Sequence, residues 1–424
     1  MKEYKPRIAD TLLDRKLSSS GAVLIEGAKW CGKTSTAEQK AKSFFYLSDN
    51  RSQNLEIAES SPDISLKGDT PRLIDEWQLA PNLWDAIRFE VDHRDDFAQF
   101  ILTGSATPID KNKLHHSGIG RISRLLMRPM SLYESGESNG SVSLKNLFEQ
   151  KTDIYGTSEL STEDIAFLIC RGGWPKASGQ KGDTALDIAE NYYEGLIESD
   201  ISRVDNVKRN SVFASKILRS YARNIGQQVS LETIRNDVKT TDGTDLSIDT
   251  ISSYISALRS IFVVEDSPSW NPNLRSSTAV RTSDTRYLVD PSIAATALGI
   301  GPEGLLTDFN TFGFLFECLA IRDLRVYAQA LNGIVSHYRD SSGLECDAVI
   351  HLKDGQYGLV QIKIGATDTP IENAISKLQL FKEKLDPEKT PEPSFMMVLT
   401  GNGTYAYRRK EDGIYIVPIG TLCP

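Results

Sequence analysis

Along the first 130 positions, apolar residues fall in short, nearly continuous runs separated by stretches of helical period. The runs 22–27 (AVLIEG), 44–48 (FFYLS), 72–76 (RLIDE) and 97–105 (FAQFILTGS) read as strands buried on both faces. Between them, 34–43 (TSTAEQKAKS), 54–60 (NLEIAES) and 83–94 (LWDAIRFEVDHR) carry apolar residues at helical spacing. Strands alternating with helices predict an α/β fold with a parallel, doubly wound sheet. Ligands of such a sheet sit at the carboxyl ends of its strands.

A polar stretch at 134–143 (ESGESNGSVS) predicts the end of this unit. From about 160 to 265 the pattern is mainly helical, until the Ser/Asn/Pro-rich 267–277 breaks it. The last segment mixes helices at 313–330 and 372–385 with five strand-like runs, IVSHYRD, LECDAVIHL, QYGLVQIKI, PSFMMVLTG and IYIVPI. The reading gives three domains: 1–150, 151–284 and 285–424.

Composition narrows the class. At 424 residues the chain is long for one core. No apolar run reaches the roughly 18 residues of a membrane helix, and the charged N-terminus lacks an apolar signal core. The expected setting is cytoplasmic, with no membrane partner. The five cysteines, Cys31, Cys170, Cys318, Cys346 and Cys423, are scattered without a CxxC pair, which fits reduced thiols and argues against a zinc site. His115-His116 is the single histidine doublet and is read as an exposed loop. The net charge of −9 disfavours non-specific nucleic-acid binding but leaves room for a local basic patch.

The sharpest chemical signal is 27–34, GAKWCGKT, which satisfies G-x-x-x-x-G-K-[ST] between a predicted strand and a predicted helix. Gly27 and Gly32 permit backbone angles and close approach that a Cβ would block. Backbone amides from Gly27 through Ala28, Lys29, Trp30, Cys31, Gly32, Lys33 and Thr34 to Ser35 then cradle phosphates. Lys33 reaches the β- and γ-phosphates of ATP, and Thr34 ligates Mg²⁺. Cys31 is read as a small filler. The strand RLIDE ends in Asp75-Glu76 and is expected beside the P-loop strand. Asp75 there holds Mg²⁺ through water, and Glu76 polarises the attacking water. The run ILTGS brings Ser105, or alternatively Thr103, to orient that water or sense the γ-phosphate.

P-loop, acidic pair and a strand ending in a polar residue, in that order, resemble an AAA-type ATPase. That resemblance implies that Arg121, with Arg124 as the other candidate, is an arginine finger reaching a neighbouring subunit, and hence a homo-oligomer. RLIDEWQ, ILTGSA, GRISRLLMRPMSLYE, RGGWP (171–175), YLVDPSIAATALG, FLFECLA and ECDAVI…QIKIG together resemble a prokaryotic family of AAA-type ATPases. Its members join the ATPase to a winged-helix segment and a C-terminal domain of restriction-endonuclease-like fold. RGGWP by itself reads as a tight turn with an aromatic plug.

SLETIRNDV (230–238) followed by SIDTISSYISALRSI (247–261) suits a helix-turn-helix capped by Ser230 and Ser247, with IFVVEDSPSW and RYLVD as wing strands. Its second helix offers Thr250, Ser252, Ser253, Ser256 and a single cation, Arg259. Both duplex reading and a structural or protein-contacting role stay open. In the C-terminal domain the resemblance implies a nuclease-like site from Asp347, Gln361 and Lys363, with Glu317 on the preceding helix. Alternation places Gln361 and Lys363 on one face, and Mg²⁺ would be shared by Asp347 and the second position. Gln361 stands where the pattern usually has a carboxylate. The domain is expected to bind or cut DNA or another nucleic acid, or else to be inert and dock a protein.

Overall fold

The computed structural model describes residues 4–49, 52–106, 118–151, 154–203, 207–239, 245–272, 283–385, 388 and 390–424. His115-His116 lie outside the described residues. Two compact units emerge, and the chain passes repeatedly between them. The first comprises Met1–Pro129, Gly195–Ser211 and Ser253–Val263; the second comprises Met130–Glu194, Val212–Ser252 and Val264–Pro424.

The first unit holds five strands: β1 (Ala22–Glu26), β2 (Ser43–Tyr46), β3 (Arg72–Asp75), β4 (Phe100–Gly104) and β5 (Ile122–Leu126). All pair in parallel, in the order β2-β3-β4-β1-β5. Strand alternation sends Ala22, Leu24, Ile74, Phe100 and Leu102 to one apolar layer, with Trp84 and Ile87 of α3 (Leu83–Arg94). Val23, Ile25, Leu73 and Ile101 go to the other, with Leu12 and Leu13 of α1 (Ile8–Leu17). This two-sided burial explains why the strands read as continuous apolar runs rather than alternating ones.

Two sequence expectations are corrected. The helix expected over 34–43 is the six-residue α2 (Lys33–Glu38). The chain turns back at once because the Lys42 amide donates to the Pro71 carbonyl at 2.8 Å, which starts β2 at Ser43. The strand bearing Asp75 is not beside the P-loop strand; β4 lies between β3 and β1. All five residues of β4 are buried, whereas β2 has an exposed and two half-buried positions, so the more apolar β4 takes the inner place.

The second unit centres on a seven-stranded sheet in the order β7-β12-β13-β11-β10-β9-β8. Its strands are β7 (Gly156–Thr157), β8 (Ile334–Arg339), β9 (Glu345–His351), β10 (Tyr357–Lys363), β11 (Phe395–Thr400), β12 (Tyr405–Arg408) and β13 (Tyr415–Pro418). β8, β9 and β10 form an antiparallel meander, and β10, β11 and β13 run parallel. β6 (Val142–Ser143) pairs with β14 (Leu422–Cys423) at the far end of the chain. The helices after residue 160 include α4 (Thr162–Arg171), α5 (Asp183–Gly195), α6 (Ser211–Arg223), α7 (Leu231–Val238), α8 (Ile248–Ser260), α9 (Pro291–Leu298), α10 (Phe309–Ala330) and α11 (Asp368–Lys384), and α8 passes from the second unit into the first at Ser253. Ser230 and Ser247 cap α7 and α8 through the Thr233 and Thr250 amides. Antiparallel bridges join Val264 to Leu288 and Ser267 to Thr285.

RGGWP docks on YLVDPS. The Gly173 amide donates to Asp290, Trp174 Nε1 donates to Ser292 Oγ, and the Met130 amide donates to the Gly173 carbonyl. A Cβ on Gly173 would lie 2.2 Å from the Met130 carbonyl oxygen, so only glycine fits. Beneath this turn, Arg322 pairs with Asp290 and Asp323, all three fully buried. Asp323 also accepts from the Leu132 amide at 2.9 Å. Buried charges persist only with such mutual satisfaction. Among the described residues, no helix is long and apolar enough to cross a membrane.

Candidate functional site

The P-loop leaves the carboxyl end of β1 with Gly27 at φ +155°, Trp30 at +65° and Gly32 at +104°. A Cβ on Gly27 would meet the Met127 carbonyl oxygen at 2.0 Å, so this glycine lets the loop pass under the end of β5. Cys31 is fully buried and its thiol faces the same carbonyl at 3.4 Å, in agreement with a filler role. Lys33 is buried, its ammonium donating to the Gly27 and Ala28 carbonyls at 3.0 and 2.9 Å. The lysine therefore folds back onto the carbonyls of its own loop.

Asp75 is the hub. Its Oδ1 accepts from Thr34 Oγ1 at 2.7 Å and from Thr103 Oγ1 at 2.5 Å. Thr103, on the interposed β4, also accepts from the Glu76 amide at 3.3 Å. β4 and the P-loop helix thus meet on one oxygen of the Asp75 carboxylate. Glu76 has left the strand and sits in the left-handed region at φ +56°, a conformation of a non-glycine residue that costs free energy and occurs at functional sites. Its carboxylate accepts from Gln78 Nε2 and from Ser105 Oγ, the latter at 3.2 Å. Sequence reasoning left Thr103 and Ser105 as alternatives. In the fold Thr103 bonds Asp75 and Ser105 bonds Glu76.

Thr34 and Asp75 are hard oxygen donors on adjoining elements, and such donors suit Mg²⁺ with retained waters.

Two supporting residues were missed in the sequence. Arg7 donates from Nη1 to the Cys31 carbonyl at 2.8 Å and from Nη2 to the Arg128 carbonyl at 2.9 Å, clamping the P-loop to the chain after β5. No motif marks Arg7; it precedes α1 in a stretch that reads only as polar. Gln78 holds Glu76, and Gly104 makes room for it, since a Cβ there would lie 3.0 Å from Gln78 Oε1. Lys29 turns outward and pairs with Asp200 at 3.1 Å, in the returning 195–211 segment of the same unit. Asp200 ends a π-helical turn, Leu196–Asp200.

Arg121 does not join the cluster. Its carbonyl accepts from the Ala22 amide at the head of β1, the edge opposite the P-loop, and its guanidinium pairs with Asp92 at 2.7 Å. Arg124 lies on β5 and pairs with Glu26 at 3.1 Å. Burial raises the Glu26 carboxyl above its ordinary range, and Arg124 opposes that shift.

In the second unit, Asp347 on β9, Gln361 and Lys363 on β10, and Glu317 on α10 converge. Lys363 Nζ lies 3.3 Å from Asp347 Oδ2 and 3.5 Å from Gln361 Oε1, and donates to the Ile362 carbonyl at 2.8 Å. Gln361 Nε2 donates to the Glu345 carbonyl at 2.8 Å. That bond fixes the amide so that Oε1 faces the lysine. Glu317 accepts from the Tyr287 hydroxyl. Burial first, then the neighbouring Asp347 charge, pushes the Glu317 carboxyl up to about 8, against the Tyr287 hydrogen bond and the Lys363 charge. Among the described residues, no group of three or more His, Cys, Asp or Glu side chains is arranged to hold a metal ion.

Residues 162–304 match a domain of unknown function (DUF8612) and residues 312–422 a second one (DUF4143). Over 384 residues the chain is 23% identical to uncharacterised proteins of Mycobacterium bovis and Mycobacterium tuberculosis, with 88% of this chain and 78% of each relative covered. A Walker-type ATPase of Pyrococcus abyssi is similar at 15% identity and a TM-score of 0.41, covering 69% of this chain and 96% of that one. Residues 19–136, which carry the P-loop, Asp75 and Thr103, match the family described as AAA domain.

Proposed function

We propose that the chain hydrolyses ATP at the P-loop site and couples nucleotide state to a nuclease-like second unit that binds nucleic acid. The observation that carries the first half is the meeting of Thr34 and Thr103 on one oxygen of Asp75, beside the loop holding Lys33. Lys33 neutralises the β- and γ-phosphates, and Thr34 with Asp75 holds the magnesium. When bound, the ion offsets charge on the phosphate oxygens. Glu76 accepts the proton of the attacking water at its carboxylate, while Ser105 and Gln78 fix that carboxylate's direction.

Lys33→Ala is expected to abolish tight ATP binding. Glu76→Gln is expected to keep binding and stall turnover. Equal turnover in Glu76→Gln and wild type would remove Glu76 from this role. An arginine-finger role for Arg121 requires an oligomer; gel filtration with and without ATP tests it, since a strict monomer has no neighbour to reach.

The second half is supported by the convergence of Glu317, Asp347, Gln361 and Lys363, with Gln361 Oε1 turned toward the cluster. Asp347 and Gln361 would hold a divalent ion, and Lys363 would stabilise charge developing at a phosphodiester. Metal-dependent cleavage lost in Lys363→Ala is the expected result. A second reading, an inert domain that docks a protein, is favoured by the glutamine at 361 and by Lys363 pairing with Asp347. Neither DNA stimulation of ATP turnover nor cleavage would select that reading.

A further inference from the structure

The helix-turn-helix segment poses a charge problem. α8 carries one cation, Arg259, in a chain of net charge −9. The cations are concentrated elsewhere. α6 and the end of α7 border a cavity of about 400 Å³ lined by Lys216, Arg219, Ser220, Arg223, Asp237 and Lys239. Among the described residues, four cations and one carboxylate line it, and a second carboxylate, Asp245, stands beside Lys239.

The lining carboxylate is already committed. Asp237 accepts from Ser220 Oγ at 2.8 Å, from Asn224 Nδ2 at 3.2 Å and from Arg223 at 2.8 Å. It acts as an internal brace that holds Arg223 at the cavity wall. Arg219 donates to the Leu298 carbonyl at 3.1 Å, which pins its guanidinium against the carboxyl end of α9. Lys239 lies 3.4 Å from Asp245 and keeps about half of its side chain exposed. Lys216 has no hydrogen-bond or ion-pair partner among the described residues. The two arginines are therefore preorganised, and the two lysines can move.

Lys216, Arg219 and Arg223 stand at i, i+3 and i+7, one face of α6. At 1.5 Å per residue they span roughly 10 Å, the rise of about three nucleotides along one strand. A single inorganic anion would use one or two of these cations; a run of phosphates uses them all.

We infer that the α6–α7 cavity is a docking groove for the phosphodiester backbone of nucleic acid, contacted by Lys216, Arg219, Arg223 and Lys239. The inference rests on the nucleic-acid reading of the second unit, and places that contact on α6 rather than on α8. Phosphate contacts fix position and carry no sequence information, so binding here is sequence-independent.

The test uses the full chain with fluorescein-labelled 20-nucleotide single-stranded and duplex DNA, followed by anisotropy over a salt series. The double variant Lys216→Gln/Lys239→Gln removes the two cations least tied into the fold. Thermal melting and ATP turnover without DNA, both unchanged, show that it folds. The expected result is affinity at least about tenfold weaker at low salt, and a salt slope for duplex shallower by about 1.8, at 0.9 per phosphate contact. Wild type and variant binding DNA equally would overturn the groove while leaving the nucleic-acid reading standing. No DNA binding by wild type at low salt would overturn both. Displacement of the DNA by millimolar inorganic phosphate, as effective as unlabelled DNA in nucleotide equivalents, would make the cavity a small-anion site and also overturn the inference.

Discussion

Thr103 on β4 donates to the same Asp75 oxygen that Thr34 of the P-loop helix engages, at 2.5 and 2.7 Å. One carboxylate oxygen thereby ties three parts of the first unit together. A hydrogen bond to a charged group contributes about 1.5–3 kcal/mol, so Thr103→Val should lower ATP turnover roughly tenfold to a hundredfold. Thr103→Ser keeps the hydroxyl and should restore most of it. Steady-state kinetics across a Mg²⁺ titration, in which Thr103→Val needs more Mg²⁺ for half-maximal rate, reads the effect. An unchanged Mg²⁺ requirement would separate Thr103 from the metal-holding role proposed for Asp75.

Gln78 should behave as a positioning residue for Glu76. Gln78→Ala removes the donor on Glu76 Oε2 while Ser105 still contacts it. The expected outcome is a kcat lowered about tenfold with KM for ATP little changed. A rise in KM alone would place Gln78 in nucleotide binding instead.

Arg7→Ala should loosen the P-loop without touching a motif residue. It unpairs the buried Cys31 carbonyl, and leaving a buried polar group unsatisfied costs about 1–3 kcal/mol. A lower melting temperature and weaker binding of a fluorescent ATP analogue are both expected. Melting unchanged from wild type would show that water replaces the guanidinium there.

Glu317 gives the second unit a pH dependence of defined sign. Its folded value of about 8 lies above the ordinary 4.5, so the folded state holds a proton the unfolded chain has released between those limits. Stability therefore falls as pH rises through that window, by up to ~1.4 kcal/mol per pH unit, and flattens above it. In EDTA, Glu317→Gln should flatten the melting-versus-pH curve and be the more stable form at pH 8. A wild-type curve that rises from pH 5 to 8 and is matched by the variant would refute the assignment.

Removing one member of the buried Arg322 network should be severe. Asp290→Ala leaves Arg322 short of a partner and strips the Gly173 amide and Ser292 of theirs. A loss of about 3–5 kcal/mol is expected, measured by urea denaturation. A smaller loss, within 1 kcal/mol, would mean that the turn is held by Trp174 packing.

Some of this was legible in the chain and some was not. The 54–60 and 83–94 helices fall where their apolar spacing predicts, because each has one face to bury. The P-loop stands out because its chemistry depends on glycines and a lysine at fixed local offsets. The order of strands was not legible: apolar runs give no register between distant segments, so β4 between β3 and β1 had to be seen. The interval at 134–143 illustrates the same limit. Its polar composition predicts a boundary, yet Val142–Ser143 pairs with Leu422–Cys423, a partnership some 280 residues away that periodicity cannot reveal. Resemblance marks Glu317, but nothing in the sequence marks Tyr287 as the neighbour that donates to it.

The ion pair between Lys29 and Asp200 has a practical corollary. A polypeptide that comes back twice to a body it has already left cannot be pruned down to it. A version stopping at residue 129 would retain every amide of the P-loop yet lose the carboxylate that steadies the loop's outer lysine. Isolating that half for biochemistry calls for splicing the stretches 195–211 and 253–263 back in, not for a stop codon.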